Sequence, residues 1–301
     1  MTLSEQFSNL LKYLNSDNSL DRATFGLDIN KESFWYKLLT WRATDVVLIA
    51  VLYFIYIVTY DSAPFERQFY VNDLTISHPF AEHERVDGTQ LMLYAVWIPL
   101  AIIVAAGLVF TKPKNKVYVT YVAVVGLGVS TFTTSVLTDL LKNYIGRHRP
   151  DFLSRCVPKP DTPKDVLVFA KDVCTTKNLE LLRDGFRTTP SGHSSLSFSG
   201  LLYLSLFLAG QLVVTNKYVG AWRTVLCALP TVGAALIALS RTEDYRHHFV
   251  DILIGSTIGI IIAIWTYFRL FPSLSHRKPY EPILLQKEDE GEGYNIINEQ
   301  V

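Results

Sequence analysis

The sequence predicts an all-α fold, a polytopic membrane protein with six transmembrane helices. Three observations carry that prediction. Hydrophobic residues make up 49% of the 301 positions and charged residues only 19%, against roughly 25% in a typical soluble domain. Mean hydropathy is +0.21, whereas soluble enzymes usually average below zero. The 28 Lys and Arg are balanced by 28 Asp and Glu. Zero net charge excludes a basic nucleic-acid-binding domain or a polyanionic tail as the main theme. Three cysteines are too few for a disulfide framework.

Six segments approach the roughly 20 apolar residues a bilayer crossing needs. They are 43–60, the uncharged 91–110, 118–141, 194–214, 221–240 and 249–270. Arg223 opens the fifth and Asp251 lies inside the sixth. Pro99 and Pro230 fall within spans, where membrane helices tolerate them. Residues 43–270 thus form the helical domain. Residues 1–42 read as a polar N-terminal cytoplasmic segment without a cleavable signal, and 271–301 as an acidic, disordered tail.

Six crossings put both termini on one side. The termini and the 2–3 and 4–5 loops carry 14 Lys and Arg, the opposing 1–2 and 5–6 loops four, and the long 3–4 loop ten. Orientation is set mainly by short loops, which favours cytoplasmic termini. No Asn-x-Ser/Thr sequon marks the other side.

Loops 3–4 and 5–6 face the same side by parity, and four of the seven histidines lie in them. Clustered His, Arg and Lys at a membrane face suggest a site for a phosphate on something lipid-soluble. Arg binds phosphate oxygens in a planar, bidentate way, and Lys adds a point charge. Lys142 and Arg149 are seven apart, hence on one face if the third helix continues past Gly146. The bland alternative is a cation snorkelling at a helix end. Ser191 and Gly192 open the fourth helix, where free N–H groups and the helix dipole suit an anion. Ser191 equally suits a plain N-cap. His193 follows. His247 and Asp251 are four apart, neighbours on a helix, and a carboxylate on one imidazole nitrogen leaves the other free as nucleophile or base. Asp251 lies about a turn inside the helix, which argues against a capping role, and an ionisable residue in a span is a functional candidate. His248 points elsewhere. Cys156 and Cys174 share loop 3–4. Either both are free thiols, or on a lumenal side they close a loop of about 18 residues, worth about 3 kcal/mol in the entropy model. His193, His247 and His248 lack the carboxylate cluster or HxxxH pair a metal site would add, so no metal or other cofactor is expected.

The ordered triple of Lys142 to Arg149-Pro150, Pro190-Ser191-Gly192-His193, and Ser240-Arg241 to His247 to Asp251 resembles the type 2 phosphatidic acid phosphatase (lipid phosphate phosphatase) superfamily. Its pattern is Lys-x6-Arg-Pro, Pro-Ser-Gly-His, Ser-Arg-x5-His-x3-Asp. Stretches 64–80, 145–156, 171–178, 184–195 and 238–251 are similar to members acting on diacylglycerol pyrophosphate and phosphatidate. The resemblance covers about Asp45 to Pro272. It implies His247 as the nucleophile, giving a phosphohistidine, with Asp251 orienting it and His193 as acid then base. Lys142, Arg149, Arg241, Ser191 and the Gly192 amide would bind the phosphoryl oxygens. It also implies metal-independent turnover of a lipid substrate held in the bilayer, and a vacuolar membrane with a lumenal site. Sphingoid-base or polyprenyl phosphates are the alternative substrates, and a six-span anion transporter the alternative class. Oligomeric state is not legible.

Overall fold

The computed structural model describes residues 33–286. The chain divides into two compact units, 1–47 and 48–301. The described part of the first holds α1 (Phe34–Thr40), whose N-cap Ser33 accepts from the Trp35 amide, and the start of α2 (Ala43–Asp61).

In the second unit, α2 is followed by α3 (Gly88–Phe110), which opens with a capping box between Asp87 and Gln90 and widens to a π-turn at Leu93–Trp97, just before Pro99. Helix α4 (Lys116–Ile145) has 30 residues, about 45 Å at 1.5 Å per residue. That exceeds the roughly 30 Å hydrocarbon core, so its end reaches past the apolar layer. It stops at Gly146, whose φ of 58° is a left-handed conformation that suits glycine. The loop that follows holds α5 (Phe152–Cys156), α6 (Ala170–Val173) and α7 (Leu179–Asp184). Then come α8 (Gly192–Gln211), α9 (Ala221–Glu243) and α10 (Phe249–Leu270). Among the described residues there is no strand, only two isolated bridges.

Five of these helices, α2, α3, α4, α9 and α10, are long and apolar enough to cross a membrane. The predicted fourth span, α8, has the length but not the composition. Fourteen of its 20 residues are buried, among them Ser194, Ser195, Ser197, Ser199 and Ser205. Their hydroxyls meet neighbouring helices: Ser195 with Thr138 at 2.9 Å, Ser197 with the Ala234 carbonyl, Ser205 with Thr231. In the other direction Ser130 donates to the Ser199 carbonyl. Small hydroxyl residues let membrane helices approach closely and hydrogen-bond across the interface. On α10, a Cβ at Gly255 or Gly259 would strike the Ser191 or Ser195 carbonyl of α8. Helix α8 is thus an axis wrapped by protein, whereas α9 leaves Val225, Leu229, Val232 and Leu236 exposed. The main apolar core joins α3, α4, α8 and α10 through Ile103, Val122, Tyr203, Phe207 and Tyr267.

Outside the spans, the 3–4 loop and the segment after α2 build a cap with its own core. Phe69, Ile76, Phe152, Ala170, Val173 and Phe186 fill it. Phe69 and Val168 exchange two backbone hydrogen bonds, and a disulfide joins Cys156 to Cys174.

One expectation needs correcting. The tail foreseen as disordered from residue 271 is packed as far as 286: Leu274 and Leu285 lie against the main core, and Gln211 donates to the Tyr280 carbonyl. Apolar side chains spaced along this stretch let it bury surface, which the acidic composition beyond it had masked. The rest of the tail, and residues 1–32 of the N-terminal segment, lie outside the described residues.

Candidate active site

The ends of α4 and α9 and the beginnings of α8 and α10 bring the three motifs together. Lys142 comes from the last turn of α4. Its Nζ lies 3.3 Å from where a Cβ on Gly192 would stand, so the glycine makes room for the ammonium at the head of α8. Among the described residues no carboxylate lies within 4 Å of that ammonium. Because α4 ends at Ile145, Arg149 does not share a helix face with Lys142 and reaches the site from a turn instead.

Ser191 is the N-cap of α8 and buried; its Oγ accepts from Ser194, and its amide donates to the Asp251 carbonyl. The capping reading of Ser191 therefore holds. His193, next in the helix, donates through Nε2 to the Val86 carbonyl at 3.1 Å; a carbonyl only accepts, so Nε2 carries the hydrogen.

His247 departs from expectation. Its Nδ1 lies 2.7 Å from the Thr188 carbonyl and 3.3 Å from the Thr188 hydroxyl, not on Asp251. The reason is local. Helix α10 starts at Phe249 with His248 as N-cap, so His247 precedes the helix and the four-residue neighbour rule does not reach it. Asp251 instead completes a capping box with His248, the role its position seemed to rule out. Its carboxylate accepts from the His248 amide, Thr188, Thr189 and Arg147 at 2.5–3.0 Å. It touches His247 only through Thr188, whose hydroxyl donates to Asp251 while facing the ring. The carbonyl bond places the His247 proton on Nδ1 and the lone pair on Nε2. Burial, then the charges of Arg149 and Lys142 and the neighbouring His193, push the His247 pKa well below its ordinary value.

The arginines are held by carboxylates that sequence reasoning missed. Arg149 donates through Nε to the Asp184 carbonyl and through Nη2 to Asp184 Oδ1 at 2.7 Å. The same carboxylate takes Arg155 Nη1. Burial opposes ionisation of Asp184, but Arg149 and Arg155 outweigh it and hold its pKa far below the usual carboxylate range. Arg155 forks onto Asp151, both fully buried. Arg241 is clamped by Asp244 and Glu84, each at 2.7 Å, and Arg246 by Glu84 and Asp151. Asp151, Asp184 and Asp244 had a legible signal, since buried arginines need counter-charges and each acid lies within a few residues of a motif. Glu84 had none. It is 157 residues from Arg241 in sequence. His148 stays out of the site, its ring among Phe69, Phe152 and Phe186.

Beside Lys142 and His193 opens a cavity of about 320 Å³, lined also by Tyr56 and Tyr60 of α2, Met92 of α3 and Asp139 of α4. It joins a cationic end to the flanks of two lipid-compatible helices. Among the described residues no group of three or more His, Cys, Asp or Glu is placed to hold a metal ion.

The profile of the PAP2 superfamily matches residues 123–273. The chain is 49% identical over 244 residues to diacylglycerol pyrophosphate phosphatase 1 of Saccharomyces cerevisiae, covering 81% of this chain and 84% of that protein. It is 40% identical to a probable diacylglycerol pyrophosphate phosphatase 1 of Schizosaccharomyces pombe, covering 84% and 88%. With lipid phosphate phosphatase 2 of Arabidopsis thaliana it shares 34% identity over 79% and 78%. No solved structure matches it.

Proposed function

The chain belongs to the PAP2 superfamily, and from that premise we propose that it is an integral membrane lipid phosphatase that converts diacylglycerol pyrophosphate to phosphatidate and phosphatidate to diacylglycerol. The observation that carries the chemistry is the buried His247 with Nδ1 anchored on a carbonyl and Nε2 left as a lone-pair donor amid Lys142, Arg149 and His193. In the first step Nε2 attacks phosphorus, the bond to the leaving oxygen breaks, and that oxygen takes a proton from His193. In the second, His193 takes a proton from water, which attacks the phosphohistidine and releases inorganic phosphate. Lys142, Arg149, Arg241, the Ser191 hydroxyl and the Gly192 amide stabilise the charge spread over the phosphoryl oxygens. Asp251 acts on His247 through Thr188. With these cations facing the anion, no divalent ion is required.

The lateral cavity suits a lipid whose acyl chains stay in the bilayer while its head group meets Lys142. Six crossings follow if α8 spans as the protein-wrapped axis, with cytoplasmic termini and the site on the opposite face. The disulfide supports a non-cytosolic, oxidising side for that face, and a vacuolar lumen is one such compartment.

The test is phosphate release by purified protein from diacylglycerol pyrophosphate, phosphatidate, a sphingoid-base phosphate and a polyprenyl diphosphate, with and without EDTA. Wild type is expected to favour the first two and to survive EDTA. His247→Ala should lose turnover by at least about 10³-fold, as removal of a covalent nucleophile does. Phosphate flux across vesicles that persists in His247→Ala, without lipid turnover, marks a transporter instead.

A further inference from the structure

We propose that Glu84 and the two residues after it form a clamp that positions the active site, Glu84 aiming Arg241 and Arg246 and Val86 fixing the tautomer of His193. The inference rests on the lipid phosphatase reading above, but it concerns a segment outside the residues that match the superfamily profile.

Three consecutive residues each take hold of a different part of the site. The Glu84 carboxylate bridges Arg241 Nη1 at 2.7 Å and Arg246 Nη2 at 2.8 Å, one oxygen to each. The Arg85 amide donates at 3.0 Å to Asp244 Oδ2, the oxygen that also accepts Arg241 Nη2. The Val86 carbonyl accepts from His193 Nε2 at 3.1 Å. Asp87 then caps α3, so the segment is tied at once to a rigid helix.

The donor inventory of Arg241 shows what the clamp does. A guanidinium has five N–H groups. Here Nε and Nη2 reach Ser240, Nη2 also reaches Asp244, and Nη1 reaches Glu84. One Nη1 hydrogen remains for a phosphoryl oxygen, in a direction set by the three anchored edges. The Arg241 side chain is 1% exposed and Glu84 26%, so the carboxylate lies between a buried cation and water. For His193, the Val86 carbonyl keeps a hydrogen on Nε2 in both protonation states. The proton delivered to the leaving oxygen is therefore the one on Nδ1.

A clamp and a structural prop make different predictions. Neutralising Glu84 removes a negative charge from beside two arginines, which strengthens the pull on a resting phosphate. It also frees those arginines to rotate, which weakens the oriented contacts made in transfer. Ground-state affinity and turnover then move in opposite directions. A prop that merely holds the loop down loses both together.

The experiment uses the full-length protein in detergent, with Glu84→Gln, Glu84→Asp and Glu84→Ala, and Glu82→Gln as an exposed control in the same loop. Two quantities are read: kcat and KM for phosphate release from phosphatidate, and the Kd of inorganic phosphate by calorimetry. Glu84→Gln is expected to lower kcat by about ten- to a hundredfold, the scale of a small misplacement in an active site. Its phosphate Kd should be unchanged or tighter. Glu84→Asp should recover part of kcat, and Glu82→Gln should stay within about twofold of wild type. A kcat within about twofold in Glu84→Gln overturns the proposal. So does a loss of kcat matched by an equal loss of phosphate affinity in Gln and Ala alike. If wild type hydrolyses no lipid, the functional reading fails and the phosphate arm alone judges the clamp: a weaker Kd in Glu84→Gln overturns it, an unchanged or tighter one upholds it.

Discussion

The cap and the helix bundle of this protein are held together by opposite means. In the cap and the adjoining loop between α9 and α10, buried arginines pair with carboxylates: Arg155 with Asp151, Arg149 with Asp184, Arg246 with Glu84. In the bundle, close contact comes from glycines and serine hydroxyls, and individual bonds are single and neutral. Water explains the difference. At the membrane face a charge can be paired and partly hydrated, so arginines can be packed densely among carboxylates. Within the bilayer an unpaired charge is prohibitive, and neutral hydroxyls bonded to carbonyls are the affordable polar contact.

The contrast breaks first at Asp151. Its removal leaves the fully buried Arg155 guanidinium without its forked partner and weakens Arg246 as well. Asp151→Ala is expected to cost about 3–5 kcal/mol, the scale for one lost partner of a buried pair. Thermal unfolding in detergent, followed by cap-specific proteolysis, measures it. A loss under about 1 kcal/mol would show that the cap does not depend on its ion pairs.

Acid provides the next largest test. Burial lowers the His148 pKa to about 4, although its hydrogen bond to the Arg67 carbonyl opposes the shift. The unfolded chain has the ordinary value near 6.5. A depressed folded pKa means the contribution is intact above about pH 6.5 and is lost as pH falls toward about 4, where the cumulative cost is on the order of 3 kcal/mol. His247 shifts in the same direction. Cap stability should therefore fall between about pH 6.5 and 4.5, before most carboxylates titrate, and His148→Gln should flatten the slope. A pH-independent midpoint over that window would contradict a neutral buried His148.

The bundle should respond more mildly. Gly259→Val places a side chain against the Ser195 carbonyl of α8 and is expected to cost about 1–3 kcal/mol by overpacking. Gly88→Ala, where a Cβ meets nothing within 4 Å, should leave stability unchanged. Equal midpoints for the two variants would mean that α8 and α10 do not need their close approach.

Legibility in the sequence followed the range of the interactions. Every predicted span coincides with a helix to within a few residues, because apolar length is a local property. The composition of α8 was less clear. Its serines look poorly suited to lipid until neighbouring helices surround them. In the site, the residues of the three motifs converge, since each motif is a local structure at a helix end. The partnership of His247 and Asp251 did not survive. It assumed a helix that begins two residues later, at Phe249, and a backbone carbonyl at Thr188 took the ring proton instead.

What the sequence alone determined was an apolar helical chain with three cationic, histidine-bearing motifs placed near helix ends. Hydrophobic length and residue order suffice for that. Tertiary structure decided which acid holds which arginine, which atom carries the proton of His193 and of His247, and that α8 lies inside the protein. Those depend on groups such as Glu84 and Arg241, 157 residues apart, meeting at hydrogen-bond distance, and a linear pattern does not encode that geometry.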